Sequence, residues 1–221
     1  MKKTLYHIGL IISIMMTLNL ASHAGDSQTI DSLTTVIETA KADTTRIKAL
    51  NALGWKLMYS NPDTAIILSK QALALSEKTK DLKHKANSLS NLGVYYWIKS
   101  DYPAALAYHF KALAYREQQN DLKGMAASYN NIGIIYANQS SYPQALSYYF
   151  KSLNIDEEQG NKQGMAASYN NIGLIYWHQS SYPQALSYYF KSLKIEEELG
   201  NKRGIATSYN NIGLIYNNQS T

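Results

Sequence analysis

A chain of 221 residues has room for one or two domains, and with 45% hydrophobic and 17% charged residues it lies outside the disordered range. It contains no cysteine, which removes disulfides, thiolate metal sites and thiol nucleophiles. The formal charge of +5 falls to +3 once Lys2 and Lys3 are set aside as part of a leader, an excess too small and too scattered to argue for nucleic acid.

The chain opens with Met1-Lys2-Lys3, a mostly apolar stretch from Leu5 to Leu20, and small residues in Ala21-Ser22-His23-Ala24. That is the pattern of a secretory signal peptide over 1–24, cut before Gly25. The apolar run is too short and too interrupted for a membrane span, and no second run of spanning length follows. The mature segment is therefore expected to be exported, periplasmic or extracellular, without membrane insertion of its own. Residues 25–47 are expected to form a cap or divergent half-repeat, with one helix from Asp31 to Asp43.

From residue 48 onward the sequence repeats. Residues 128–167 and 168–207 are identical at 31 of 40 positions, 88–127 keep the same frame, 48–87 are more divergent and one residue shorter, and 208–221 open a further, incomplete unit. A period of this size indicates a stacked array in which no unit buries its apolar face alone. Each unit reads as two helices. In helix A, Tyr129, Ile132, Gly133 and Tyr136 recur at i, i+3, i+4 and i+7, one face of an amphipathic helix. Ser141 is placed to cap helix B, Pro143 lies in its first turn, and Ala145, Leu146, Tyr149, Phe150, Ser152 and Leu153 form its packing face. Gly160 is read as a left-handed terminator and Asn161 as the cap of the next helix A. The acidic run Asp156-Glu157-Glu158 is read as linker.

The slots Tyr129, Ile132-Gly133, Tyr136, Ala145, Tyr149 and Ser152, repeated at Tyr169, Ile172-Gly173, Tyr176, Ala185, Tyr189 and Ser192, resemble the tetratricopeptide repeat. The 40-residue period departs from the usual 34, and the proline that ends the usual unit is missing. This long variant is similar to the repeats of kinesin light chains. The resemblance implies an all-α fold, an α-solenoid wound as a right-handed superhelix of helix–turn–helix repeats, whose A helices line a concave groove.

Stepping about 100° per residue places Asn130, Asn131, Ile134 and Asn138 opposite the packing face. The equivalent positions are Ser90, Asn91, Val94 and Ile98; Asn170, Asn171, Leu174 and His178; and Asn210, Asn211, Leu214 and Asn218. An asparagine amide pairs with both the N–H and the C=O of an extended peptide without selecting a side chain, so these residues are the candidate peptide-binding groove. The competing use is structural, with the amides bonding to neighbouring helices or water. Trp97 and Trp177 serve equally as groove walls or as packing, whereas Tyr136, Tyr149, Tyr176 and Tyr189 fall in core slots, and Tyr148 and Tyr188 are expected at the rim.

No metal, cofactor or catalytic group is expected, because the mature histidines lack a ligand-spaced partner, every glycine from 93 to 213 belongs to the repeat, and the serines recur as turn residues. Beside a purely structural, self-associating spacer, two functions remain open. One is a non-enzymatic scaffold that binds a protein or peptide segment in extended conformation. The other is the extracytoplasmic sensor portion of a longer signalling protein with a membrane-anchored kinase or a regulator domain downstream.

Overall fold

The computed structural model describes residues 24–219, with side chains described from Gln28 to Asn218. The expected leader, 1–24, lies outside these residues except for the backbone of Ala24. Among the described residues there are ten α-helices and no strand. The chain divides into two compact units, Met1–Ser100 and Asp101–Thr221. Within each, consecutive helices pack side by side as expected of an α-solenoid.

The first unit holds α1 (Ala24–Thr39), α2 (Asp43–Leu57), α3 (Pro62–Lys78) and α4 (Leu82–Ile98). Helix α1 starts and ends earlier than the 31–43 expected, and Asp43 opens α2 instead. The cause is a cap that only the fold reveals. The Arg46 guanidinium donates from α2 to the Ile37 and Ala40 carbonyls at 3.0 and 2.6 Å, satisfying acceptors that the end of α1 leaves without intrahelical partners.

The second unit holds α5 (Tyr102–Gln118), α6 (Leu122–Asn138), α7 (Tyr142–Glu158), α8 (Lys162–His178), α9 (Tyr182–Glu198) and α10 (Lys202–Gln219). The even-numbered helices are the A helices of the repeat, and α3, α5, α7 and α9 are the B helices. Helices α4 to α9 are each 17 residues long and separated by three residues. Asp156 to Glu158 therefore stand in the last turn of α7 rather than in a linker, and the joint is Gln159-Gly160-Asn161.

Each joint reverses the chain in the same way. In the 140 joint, Ser140 N–H donates to the Ala137 carbonyl and Ser141 N–H to the Tyr136 carbonyl, both at 2.9 Å. The residue between caps takes a left-handed backbone, with φ of 64° at Gly160 and Gly200 but also 57° at Ser140 and Ser180. The next residue already caps the following helix. Asn161 accepts from Gly164 N–H at 3.4 Å, as expected. Ser141 occupies the cap position without a side-chain cap bond. Pro143 removes one donor, and the remaining third-position N–H is reached by the longer Asp101 side chain in the corresponding joint, at 3.1 Å, but not by Ser141.

The A and B helices meet where the sequence placed the contact. Ala145 is fully buried, and a Cβ added at Gly133 would lie 2.6 Å from the Tyr149 ring; at Gly173 the Tyr189 ring stands 2.8 Å away. Helix A has a second buried stripe that the wheel of one unit did not reveal. Ser128, Ile132 and Ile135 are buried, while Tyr129 and Tyr136 are only half-buried. Ile172 and Ile175 show why: they pack with Ala145, Tyr149 and Leu153 in one core between α7 and α8. Helix A thus packs against the B helix before it as well as the one after it. Fully burying one such isoleucine contributes about 1.5–3 kcal/mol. On α10, Ile212 and Ile215 are buried against α9, whereas Tyr209 and Tyr216 stay exposed and Gly213 has nothing within 4 Å.

Candidate peptide-binding groove

The A helix α2 touches α4 in the first unit and α6 touches α8 in the second, while no comparable contact joins α8 to α10 or the B helices α7 and α9. The face that these A helices turn from the B helices carries the candidate residues.

The asparagines on that face bind one another. Asn171 Nδ2 donates to Asn130 Oδ1 at 2.9 Å and Asn211 Nδ2 to Asn170 Oδ1 at 2.8 Å in the second unit. In the first unit Asn91 Nδ2 donates to Asn51 Oδ1 at 3.2 Å. Asn51 is the positional counterpart of Asn130, so the same rung is built in both units. The amides are thus not a row of unengaged groups, because half of each links neighbouring A helices. An amide has two donor hydrogens and an acceptor oxygen. Asn130 accepts with its oxygen and keeps its N–H donors, while Asn171 donates one hydrogen and keeps its oxygen. Asn131 makes no side-chain hydrogen bond among the described residues. Asn138 is exposed and turns its amide to the Ile134 carbonyl at 2.9 Å.

Beside the rungs of each unit stand apolar residues, Trp55 and Val94 in the first unit and Ile134, Leu174 and Leu214 in the second. Ile134 leans onto the core between α7 and α8 and is half-buried, whereas Leu174 is 38% and Trp55 49% exposed. His178 sits at the end of α8, away from the rungs. Its ring stacks on Tyr142 with centroids 5.8 Å apart and meets the edge of Trp177 at 4.9 Å. Trp177 packs against the core between α9 and α10 with its Nε1 buried and unpartnered, which favours packing over a groove wall.

The tyrosines lie on the other side of the A helices. Tyr148 stacks on Tyr136 at 5.5 Å, Phe110 meets it edge-on, and the Lys151 ammonium caps it 5.0 Å from the ring centre. Tyr188, Tyr176, Phe150 and Lys191 repeat the pile. Burial pushes the Tyr149 phenol up and that of Tyr189 to about 12, as befits core rings. Burial, followed by the Glu157 carboxylate to which it donates at 2.9 Å, pushes Tyr169 up to about 12. At the joint of α5 and α6, Arg116 donates to the Gly124 carbonyl and the Ser128 hydroxyl at 3.0 and 2.6 Å. Burial first, and the Arg116 charge second, push the neighbouring His109 down to about 4. No group of three His, Asp or Glu side chains among the described residues is arranged to hold a metal.

Sequence reasoning missed one feature of the groove. Between α2 and α4 lies a hollow of about 520 Å³ lined by Lys48, Asn51, Ala52, Trp55, Lys83, His84, Asn87 and Asn91. Of these, only Asn91 was among the candidates. Lys48, Asn51, Ala52 and Trp55 stand at i, i+3, i+4 and i+7, a single helix face. Counting back 39 residues instead of 40 from Asn87, Ser90, Asn91 and Val94 would have put them in the groove column.

Models of the tetratricopeptide repeat match residues 86–118, 124–195 and 164–220. No curated protein sequence matches the chain. Among solved structures, it is similar to a signal transduction ATPase with numerous domains from Pyrococcus horikoshii that carries a tetratricopeptide repeat sensor, at 19% identity and a TM-score of 0.75 over 95% of this chain and 32% of that one. It is also similar to a Rap protein complexed with competence and sporulation factor, at 16% identity and a TM-score of 0.75, over 85% of this chain and 57% of that one. A Podosopora anserina putative kinesin light chain with nearly identical repeats matches at 13% identity and a TM-score of 0.65, covering 81% and 89% respectively. The chain thus spans about a third of the ATPase and little more than half of the Rap protein.

Proposed function

This chain belongs to the tetratricopeptide repeat family, and from that premise we propose that it is a non-enzymatic scaffold that binds a partner's peptide segment, in extended conformation, along the inner face of its A helices. The observation that carries this reading is the pairing of spare amide groups with an exposed apolar column on a face that the core does not use. Neighbouring helices pack about 8–10 Å apart and an extended chain rises about 3.3 Å per residue. Within one unit a bound strand would meet a rung every few residues, its backbone held by amides and its side chains read by the apolar column beside them, Ile134 and Leu174 in the second unit. The Rap protein, described in complex with a factor, is a fold relative consistent with such a role.

The test is to select peptides on the chain by display and titrate the best by calorimetry. Leu174→Glu should weaken binding at least tenfold, and Asn154→Glu, on the exposed side of α7, should leave it unchanged. Equal effects of both, or of neither, would overturn the groove assignment.

We also propose that this binding takes place outside the cytoplasm, since residues 1–24 read as an export leader; amino-terminal sequencing should find Gly25 first, and retained Met1 would contradict it. A second reading, the sensor portion of a longer signalling protein, draws support from the likeness to the Pyrococcus horikoshii ATPase with its repeat sensor. Its test is the reading frame beyond codon 221, where a membrane span and effector domain are expected and an immediate stop would refute it.

A further inference from the structure

We infer that the hollow between α2 and α4 anchors an acidic side chain, Asp or Glu, of the bound segment, with an apolar neighbour of that residue resting on Trp55. This deepens the peptide-binding reading and rests on it.

The lining sets the chemistry. Lys48 on α2 and Lys83 in the first turn of α4 bring two ammonium groups to one hollow, and neither forms an ion pair among the described residues. Two like charges facing one cavity raise its potential and attract an anion. The nearby carboxylate, Asp81, is already engaged. It caps α4 by accepting from His84 N–H at 3.0 Å and meets His84 Nδ1 at 2.7 Å. Burial works to raise its pKa, but the bonds from His84 and the pull of Lys83 hold it below the ordinary carboxylate value. None of the residues lining the hollow is acidic. The first turn of α4 also directs the positive end of the helix dipole toward this region.

The rest of the lining favours an extended peptide over a small anion. The Asn51 oxygen is taken by Asn91 and Ser69 and one of its two amide hydrogens is donated to Ser88 at 3.0 Å, which leaves a single N–H for a ligand. Trp55, half exposed at the hollow's edge, offers a broad apolar surface one helical turn from Ala52 and nearly two turns from Lys48. In an extended strand alternate side chains face alike, so an acidic residue and an apolar residue two positions on would reach the lysines and the indole together.

The probe is an amidated octapeptide, Glu-Glu-Leu-Leu repeated twice so that a Leu stands two positions after each Glu, capped at its amino terminus by an uncharged fluorophore and followed by anisotropy on the full chain. Binding should weaken at least tenfold with Lys48→Glu plus Lys83→Glu and with Trp55→Ala, all at exposed side chains, and should persist with Lys123→Glu at the matching exposed site on α6. Circular dichroism checks that the variants fold. Equal binding of the Lys and Leu counterpart, or insensitivity to the Lys48 and Lys83 reversal, overturns the inference. Binding of a Gln and Leu peptide only when its C-terminus is a free carboxylate overturns it in favour of a terminal anchor, and displacement of the probe by ATP overturns it in favour of a nucleotide. If display-selected peptides bind and respond to Leu174→Glu while ignoring the Lys48, Lys83 and Trp55 changes, only this inference fails. If no peptide binds at all, the groove reading falls with it.

Discussion

The face between α2 and α4 in the first unit and the face between α6 and α8 in the second are built on the same rung, yet they present different chemistry. Asn91 to Asn51 and Asn171 to Asn130 are the same bond at the same positions, and Gly54 and Gly133 both have a neighbouring tyrosine within 3 Å of an added Cβ. Around that shared frame, Lys48, Asn87, Trp55 and Val94 in the first unit stand where Ala127, Ala167, Ile134 and Leu174 stand in the second. The rung is thus kept while the residues around it differ. Residues that hold A to B are fixed by shape, whereas residues on the inner face are free to differ and so to carry selectivity.

The largest effects should come from breaking what the two units share. Gly133→Leu drives a side chain into the Tyr149 ring, and Gly54→Leu does the same against Tyr95 and the Ala65 carbonyl; each should cost about 3 kcal/mol or more, at and beyond the upper end for overpacking. Urea melts that leave either variant at parental stability would refute the shared interface.

Next comes a feature special to the second unit. His109 has a folded pKa near 4 against 6.5 for the free side chain, because burial and then Arg116 oppose its charge. The unfolded chain therefore binds the proton first as pH falls, and stability present above pH 6.5 is lost progressively down to about pH 4. The loss should reach about 3 kcal/mol at most. Chemical melts from pH 7.5 to 4.5 should show a shallower decline in His109→Gln than in the parent, and parallel curves would contradict the buried neutral imidazole.

Smaller effects sharpen the comparison of the rungs. Asn171→Ala and Asn91→Ala each remove one donor from a half-buried pair and should each cost about 1 kcal/mol. A loss in one unit only would mean that the rung is not a common device. Smallest is Gly213→Ala, where no neighbour lies within 4 Å, so replacing a helical glycine should raise stability by about 0.5–1 kcal/mol, opposite in sign to Gly133→Leu. A destabilisation seen by thermal melting would show that something covers α10.

Much of the fold was legible because local chemistry dictates it. Pro143 in a first turn, Gly160 as left-handed terminator, Asn161 as cap, and Gly133 opposite Ala145 all stand as the residues suggested. What escaped notice depends on partners far away in sequence. The left-handed Ser140 and Ser180 carry no glycine to announce them, and the end of α1 is fixed by Arg46 from the next helix. On the inner face the wheel placed Asn130 and Asn171 correctly but showed only one helix at a time. Their mutual bond spans 41 residues, and it converts a row of amides into a ladder. The hollow at Trp55 was missed because the divergent 48–87 repeat carries Lys48, Ala52 and Trp55 where the next repeat has Asn87, Asn91 and Val94, so the doubled asparagine does not mark the face there.

The most direct test of inner-face binding is photo-crosslinking. A display-selected peptide carrying a benzophenone would be irradiated on the full chain and the adducts mapped by mass spectrometry. Adducts should fall on A helices, at Trp55 and Val94 and their neighbours in the first unit or at Ile134 and Leu174 and theirs in the second. Adducts confined to α3, α5, α7 and α9 would contradict the assignment and move recognition to the B-helix side.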